Sequence, residues 1–145
     1  MEEKKKVGVV IVSHGKLASE LLAAAEMIVG TLNHFTAVSI GWNDDVEIAR
    51  EEILRAIKKV SGEEGVLILT DMFGGTPTNI SAMFLDDEKV EVVTGVNLPM
   101  VIKIASQKGN LKLADIAKQA EKQGKDSICR ARDLLTPTLK SKKDA

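Results

Sequence analysis

The sequence contains little cysteine, few aromatic residues and no long apolar run, and each shortage excludes a class of protein. The single cysteine, Cys129, excludes an intramolecular disulfide and any CxxC metal site. The aromatic residues make up only 3% of the chain, too few for a base-stacking platform, and the net charge is −1, so we expect no nucleic-acid partner. Every apolar run is far too short to cross a bilayer, so we expect no direct membrane insertion.

What remains has the composition of one globular domain. The 145 residues are 44% hydrophobic and 28% charged, which is ordinary for a protein with a single core. A charged N-terminus precedes an apolar stretch too short for a secretory signal, and we predict a cytoplasmic location. We expect the domain to cover residues 1–135 and the lysine-rich residues 136–145 to be a disordered tail.

Short apolar segments alternate with amphipathic ones along the chain. Segments rich in β-branched residues predict strands at 7–12, 34–40, 66–69 and 90–94. Segments with helical spacing predict five helices. Three of them cover 16–29, 77–85 and 111–123. Another runs from a cap at Asn43, Asp44 or Asp45 to Val60, and a further one starts near Pro99. Strands that alternate with helices require right-handed crossovers, so the sequence predicts a three-layer, doubly wound α/β fold with a mainly parallel sheet in the order 2-1-3-4.

The apolar positions also predict which helix faces are buried and how the chain ends. We expect inward-facing residues at Leu17, Leu21, Ala24 and Ile28, at Val46, Ala49, Ile53, Ile57 and Val60, and at Leu113, Ile116 and Ala120. Polar residues alternate with apolar ones over 127–135, which predicts an edge strand with Cys129 half-buried.

Two polar residues follow directly on buried strands. His14 ends the first strand and Asp71 follows the third, and in the predicted order these strands are neighbours with their carboxyl ends at one crevice. A neutral histidine is a competent nucleophile toward phosphorus. Asp71 could accept a hydrogen bond from one ring nitrogen and leave the other nitrogen open. The pair is therefore a candidate nucleophile with its orienting group.

A glycine-rich loop follows Asp71 and could hold an anion. Gly15, Gly74 and Gly75 allow a close backbone approach or a positive φ, and Thr76 before a proline is typical of a helix cap. Backbone amides here and the Thr76 hydroxyl could bind a phosphoryl group.

Structural roles account for the same residues equally well. His14 could be a structural histidine, Asp71 a helix cap, and Gly74–Gly75 a tight turn, while Asn97 could cap the helix near Pro99. We expect His34 to be a surface residue.

Three segments together resemble a known family. Val12-Ser13-His14-Gly15, the loop from Leu69 to Asn79, and Gly95-Val96-Asn97-Leu98-Pro99-Met100 resemble the IIA domain of the mannose-family phosphotransferase system. The resemblance extends from about Val7 to Leu135. In the enterobacterial loop, tryptophan and serine stand where this chain has Phe73 and Thr76.

The resemblance implies a phosphocarrier. His14 would take a phosphoryl group from phospho-HPr and pass it to a IIB component for sugar uptake, Asp71 would orient the ring, and Gly74, Gly75 and Thr76 would bind the phosphate. It implies supporting roles for Ser13, Gly15, Phe73 and Asn97. It further implies a homodimer that exchanges the last strand, about Lys125 to Leu135, as an antiparallel edge strand on the sheet of the other subunit. No metal or cofactor is expected, because transfer between histidines depends on positioning and charge stabilisation.

Three other functions remain open at this level. A regulatory IIA protein would use the same chemistry with another acceptor. A response-regulator receiver also has an aspartate after strand three, but it needs acidic residues after strand one to bind magnesium, where this chain has Ser13-His14. In a binding module, His14 and Asp71 would form only a structural hydrogen bond.

Overall fold

A computed structural model describes residues 7–41, 45–109 and 111–135. Within these ranges, four strands form one sheet in the order β2-β1-β3-β4, and every neighbouring pair is parallel. The strands are β1 (Val7–His14), β2 (Phe35–Ile40), β3 (Gly65–Thr70) and β4 (Val90–Thr94). The predicted strand order is confirmed.

Helices cover both faces of this sheet. They are α1 (Leu17–Val29), α2 (Val46–Val60), α3 (Thr76–Ala82), α4 (Leu98–Ala105) and α5 (Leu113–Asp126). Helices α1, α4 and α5 pack with Val9 and Ile11 on one face, and α2 and α3 pack with Val10 and Val12 on the other. Successive β1 residues therefore belong to separate cores, as expected for a strand buried on both faces. The three-layer prediction is confirmed.

The central strand allows a helix to approach closely at one glycine. A Cβ atom at Gly8 would overlap the backbone carbonyl of Val60, the last residue of α2. The absence of a side chain at Gly8 thus sets the depth at which α2 packs on β1.

The buried face of α1 differs from the predicted one. Ala18 and Ala25 are fully buried, whereas Leu17 is 47% exposed and Ile28 is 60% exposed. Only Leu21 of the predicted leucines packs partly against the core. The prediction for Leu17 and Ile28 is wrong because α1 is apolar around much of its circumference, so its sequence does not fix which face meets the sheet.

The other helices follow their predicted faces more closely. In α5, Leu113, Ile116 and Ala120 are buried as predicted. In α2 the same holds for Ala49, Ile53 and Val60, while Val46 in the first turn is 50% exposed and Ile57 is partly buried against the core. Asp45 caps α2, accepting a hydrogen bond from the Glu47 amide at 2.8 Å. The alternative caps Asn43 and Asp44 lie outside the described residues.

The predicted edge strand over 127–135 is wrong for this structure. Residues 128–130 have no regular secondary structure, and residues 131–135 are helical. A strand needs a partner, and among the described residues β4 pairs only with β3. An ion pair between Arg130 Nε and Asp133 Oδ2, at 3.0 Å, favours the helical turn instead. Cys129 is exposed rather than half-buried.

Two further predictions concern the ends of the chain and the bilayer. The predicted tail over 136–145 lies outside the described residues. Across the part of the chain that the structure describes, no helix combines the length and the apolar character needed to cross a membrane.

Candidate active site

The register of the central strands places His14 beside Asp71. Val12 of β1 pairs with Thr70 of β3, so the residues that follow leave the sheet together at its carboxyl edge. His14 is the last residue of β1, and Asp71 comes directly after β3. Side chains that are 57 positions apart in the sequence thereby meet at the predicted crevice.

One carboxylate oxygen of Asp71 holds both the backbone and the ring of His14. Asp71 Oδ2 accepts a hydrogen bond from the His14 backbone amide at 2.9 Å and lies 2.7 Å from His14 Nδ1. An ionised carboxylate can only accept, so Nδ1 carries the hydrogen. In the neutral ring, Nε2 then has a free lone pair. The sequence predicts that one ring nitrogen is bound and the other is open, and the geometry shows that the bound nitrogen is Nδ1.

Burial and hydrogen bonding shift the pKa of Asp71 in opposite directions. The Asp71 side chain is 10% exposed and the His14 side chain 48%. Burial raises the pKa of Asp71, but the hydrogen bonds from the His14 backbone and ring and the attraction to that ring together lower it below its ordinary value. Asp71 is therefore ionised at neutral pH and remains an acceptor, while the ring beside it stays accessible.

Gly75 lies against the open edge of the His14 ring. A Cβ atom at Gly75 would be 3.2 Å from His14 Cε1 and 3.5 Å from Nε2. Gly74 and Gly75 have φ values of 80° and 83°, in the left-handed region that favours glycine. The loop thus brings backbone, not a side chain, to the ring nitrogen that Asp71 leaves free.

The start of α3 differs in one respect from the prediction. Gly75 occupies the cap position, and Thr76 is the first helical residue, followed by the proline. No side chain caps the helix, so the predicted cap at Thr76 is wrong; the positive φ of Gly75 makes the turn into the helix instead. Thr76 is exposed, and the side chain of Phe73 is 85% exposed.

Ser13 and Gly15 shape the chain on either side of His14. Ser13 is fully buried, and its Oγ accepts a hydrogen bond from the Ala18 amide at 2.7 Å, which ties the first turn of α1 to β1. Gly15 has a φ of 54°, and its amide donates to the Ile40 carbonyl at 3.0 Å. Both residues hold the backbone that presents His14.

Asn97 caps α4 and hydrogen-bonds to the end of α5. Its Oδ1 accepts from the Met100 amide at 3.0 Å, and its Nδ2 donates to the Gly124 carbonyl at 3.1 Å. These bonds tie the start of α4 to the end of α5. The structural alternative for Asn97 is confirmed.

Two hydroxyl groups near the loop were missed by the sequence analysis. Thr70 and Thr78 are buried, and their Oγ1 atoms lie 2.7 Å apart. The available signal was a hydroxyl residue at the end of an otherwise apolar strand. A threonine there also fits an ordinary strand, so no local pattern connects it with Thr78.

The described residues contain no group of three or more histidine, cysteine, aspartate or glutamate side chains that could hold a metal ion. What they contain is one imidazole with an anchored Nδ1 and an open Nε2 beside glycine backbone. That arrangement suits a nucleophile that receives and releases a small anionic group.

Comparison with known proteins agrees with this chemistry. A family model described as the phosphotransferase system (PTS) fructose IIA component, EIIA-man, matches residues 8–121. The chain belongs to this PTS IIA family. IIA components are phosphoryl carriers of the sugar PTS. The matched range contains the whole arrangement around His14.

Individual PTS proteins show the same relationship. The chain is 31% identical over 123 residues to the fructose-specific EIIA component of Bacillus subtilis, covering 84% of each protein. It is 34% identical over 98 residues to the mannose-specific EIIAB component of Escherichia coli, covering 67% of this chain but 30% of that protein. The mannose/sorbose-specific IIA subunit of Enterococcus faecalis superposes with a TM-score of 0.78 at 28% identity, covering 86% of this chain and 94% of that one.

The lowered pKa of Asp71 predicts a pH-dependent contribution to the stability of this IIA protein. Asp71→Asn should lower the free energy of unfolding near pH 5 by about 1.5–3 kcal/mol, the usual range for hydrogen bonds to a charged group. A lowered folded-state pKa stabilises the fold above the unfolded-state value of 3.8, and this contribution is lost as the pH falls through the folded-state pKa.

Urea unfolding of both proteins from about pH 5 to about pH 2 measures this effect. The difference between wild type and Asp71→Asn should shrink with falling pH. Asp86→Asn, at an exposed carboxylate, is the matched control. A difference that is constant over the whole range would contradict the assigned ionisation of Asp71.

Gly74 and Gly75 provide a matched pair of substitutions in the IIA loop. Alanine at either position should cost about 1–2 kcal/mol of stability, because both have a left-handed backbone. Only Gly75→Ala should displace the His14 ring, since a Cβ at Gly74 meets no atom within 4 Å. The ¹⁵N and ¹H NMR shifts of the His14 imidazole measure the displacement. Equal shifts in the two variants would show that Gly75 does not contact the ring.

Proposed function

We propose that His14 is the phosphoryl acceptor, which takes the group from phospho-HPr and passes it to a IIB component in sugar uptake. The observation that carries the proposal is the double hydrogen bond to Asp71 Oδ2, because it anchors Nδ1 and leaves Nε2 as the reactive atom. The half-exposed ring is open to another protein's phosphohistidine.

The reaction follows from these contacts. The Nε2 lone pair attacks phosphorus as the bond from phosphorus to the donor histidine breaks, and the donor ring leaves with that electron pair. Positive charge develops on the His14 ring, whose Nδ1 hydrogen stays bonded to the ionised Asp71. The carboxylate therefore stabilises the charge while it fixes the ring. The same steps in reverse deliver the group to the IIB acceptor.

We assign phosphate binding to Gly74, Gly75 and Thr76. A phosphohistidine carries extra negative charge that needs fixed donors. The first amides of a helix have no partner within the helix, and Gly75 brings this part of the backbone beside Nε2. The exposed Thr76 hydroxyl is a further donor. Phe73, on the same loop, offers an exposed ring to a docking protein.

Transfer of this kind uses positioning and charge stabilisation, and the proposal includes no metal or cofactor. A receiver domain, in contrast, requires acidic residues after the first strand to bind magnesium, and Ser13 and His14 occupy that place. We place the protein in the cytoplasm, where HPr and IIB partners would meet it.

Phosphorylation by phosphoenolpyruvate, enzyme I and HPr tests the proposal. Intact mass should show one acid-labile phosphoryl group on the wild type and none on His14→Ala. The chain has two histidines, so His34→Ala is the matched control and should accept the group normally. Release of the group on addition of a IIB protein would identify the acceptor.

Two outcomes would contradict this assignment. An adduct that persists in His14→Ala would place the phosphoryl group on another residue. A wild type that stays unmodified with active HPr would favour a binding module, in which His14 and Asp71 have only a structural role.

We also propose a homodimer that uses the C-terminal segment, residues 127–135. In the single chain this segment leaves apolar side chains in solvent: Ile128 is 78% exposed, Leu134 67% and Leu135 52%. Such residues are typical of a surface that is covered by another subunit.

Light scattering of the full chain should give twice the chain mass. Ile128→Asp should shift the equilibrium toward the monomer, since a buried unpaired charge opposes association. Met27→Asp, at an apolar residue of α1 that is 87% exposed, is the control and should remain dimeric. A monomeric wild type would exclude the dimer.

A further inference from the structure

Buried hydroxyl groups connect the end of β3 with the start of α3, and the proposed chemistry does not use them. Thr78 Oγ1 lies 2.7 Å from Thr70 Oγ1 and 2.5 Å from the carbonyl oxygen of Met72. Thr70 is 0% exposed and Thr78 is 7% exposed. Thr70 therefore has no access to solvent that would replace a lost hydrogen bond, and Thr78 has little.

The direction of these hydrogen bonds follows from the chemistry of the groups. A carbonyl oxygen can only accept, so the single hydroxyl hydrogen of Thr78 points to Met72. Thr78 has no second hydrogen to give, so Thr70 donates to Thr78. The chain therefore runs from Thr70 through Thr78 to the Met72 carbonyl, and each bond polarises the next.

One end of this chain is fixed to the sheet. Thr70 pairs with Val12 of β1 and Thr94 of β4, and its carbonyl oxygen accepts a hydrogen bond from the Val96 amide at 2.9 Å. The other end holds the loop through the carbonyl of Met72. Thr78 therefore links the loop to a part of the sheet that is hydrogen-bonded on both sides.

The loop between these anchors contains both residues that constrain the His14 ring. Asp71 lies between Thr70 and Met72 and accepts both hydrogen bonds from His14. Gly75 lies between Met72 and Thr78 and approaches the ring at Cε1 and Nε2. A shift of the Met72 carbonyl would therefore move Asp71, Gly75 or both relative to the ring.

We propose that Thr78, supported by Thr70, is a positioning residue for phosphoryl transfer, and that its hydroxyl sets the placement of Asp71 and Gly75 against His14. This inference rests on the proposed function of His14. The hydroxyl of Thr78 contacts Thr70 and the Met72 carbonyl, so it acts on His14 through the loop.

Thr78→Val tests the proposal with little change of volume. It removes the acceptor of the buried Thr70 hydroxyl and the hydrogen bond that holds the Met72 carbonyl, so Thr78 no longer restrains the loop. We expect the rate of phosphorylation by phospho-HPr to fall about tenfold, because even a small misplacement of the reacting groups slows a reaction. We also expect the His14 Nδ1 hydrogen signal in NMR to shift away from its hydrogen-bonded position. Thr78→Ser, which keeps the hydroxyl, should restore both.

Ser81→Ala is the matched control for loss of a buried hydrogen bond in the same helix. The Ser81 hydroxyl is fully buried and donates to the Pro77 carbonyl at 2.6 Å, within α3 and away from the loop. This variant should lose stability in urea unfolding but keep the phosphorylation rate within about twofold of wild type, because it shares no partner with the loop.

The direction of the hydrogen-bond chain predicts a graded effect. Thr70→Val removes only the bond that Thr78 accepts, and the bond from Thr78 to Met72 remains. The rate should therefore fall less in Thr70→Val than in Thr78→Val. An equal or larger loss in Thr70→Val would overturn the assigned direction.

The outcomes separate this inference from the proposed function. A wild type that HPr cannot phosphorylate would refute the function itself. A phosphorylated wild type with an equally fast Thr78→Val, or with a Thr78→Val no slower than Ser81→Ala, would refute the positioning role alone. If Thr78→Val is too unstable to assay, Thr78→Ala and Thr78→Ser are compared in its place, and equal rates in these two would also refute the role.

Discussion

The parallel pairing of β1 with β3 is the constraint on which the rest of the structure depends. Its register sets Val12 beside Thr70, so the residues that follow each strand emerge at one edge of the sheet. Both strands are buried on both faces, and close packing limits their movement. A histidine and an aspartate from distant parts of the sequence are thus brought within hydrogen-bond distance of each other.

In the His14 ring, Nδ1 is hydrogen-bonded to Asp71, whereas Nε2 is open. Burial alone would raise the pKa of Asp71 and favour its neutral form, but the hydrogen bonds from His14 reverse that tendency. The ionised carboxylate in turn fixes the ring that faces solvent. His14 thus favours the ionised form of Asp71, and Asp71 favours the His14 tautomer with its hydrogen on Nδ1. This mutual effect explains how an accessible imidazole can keep one tautomer in a chain that belongs to the PTS IIA family.

The loop between β3 and α3 meets two opposing requirements. It must bring backbone close to His14 Nε2, which the positive φ values of Gly74 and Gly75 permit. Glycines also leave a chain free to move, so the loop needs contacts that hold its position. Thr78 donates a hydrogen bond to the Met72 carbonyl in this loop, while Phe73 on the same loop is exposed.

Much of the fold and of the site followed from the sequence, because local patterns carry the information. Short β-branched runs and helical spacing determined the α/β alternation and the strand order, and two polar residues after buried strands marked His14 and Asp71. Only the tertiary structure decided that Ala18 of α1, and not Leu17, meets the sheet, that residues 131–135 are helical, and that Thr70 contacts Thr78. Each of these outcomes depends on which surfaces of other elements are available for packing or pairing, and no local pattern contains that information.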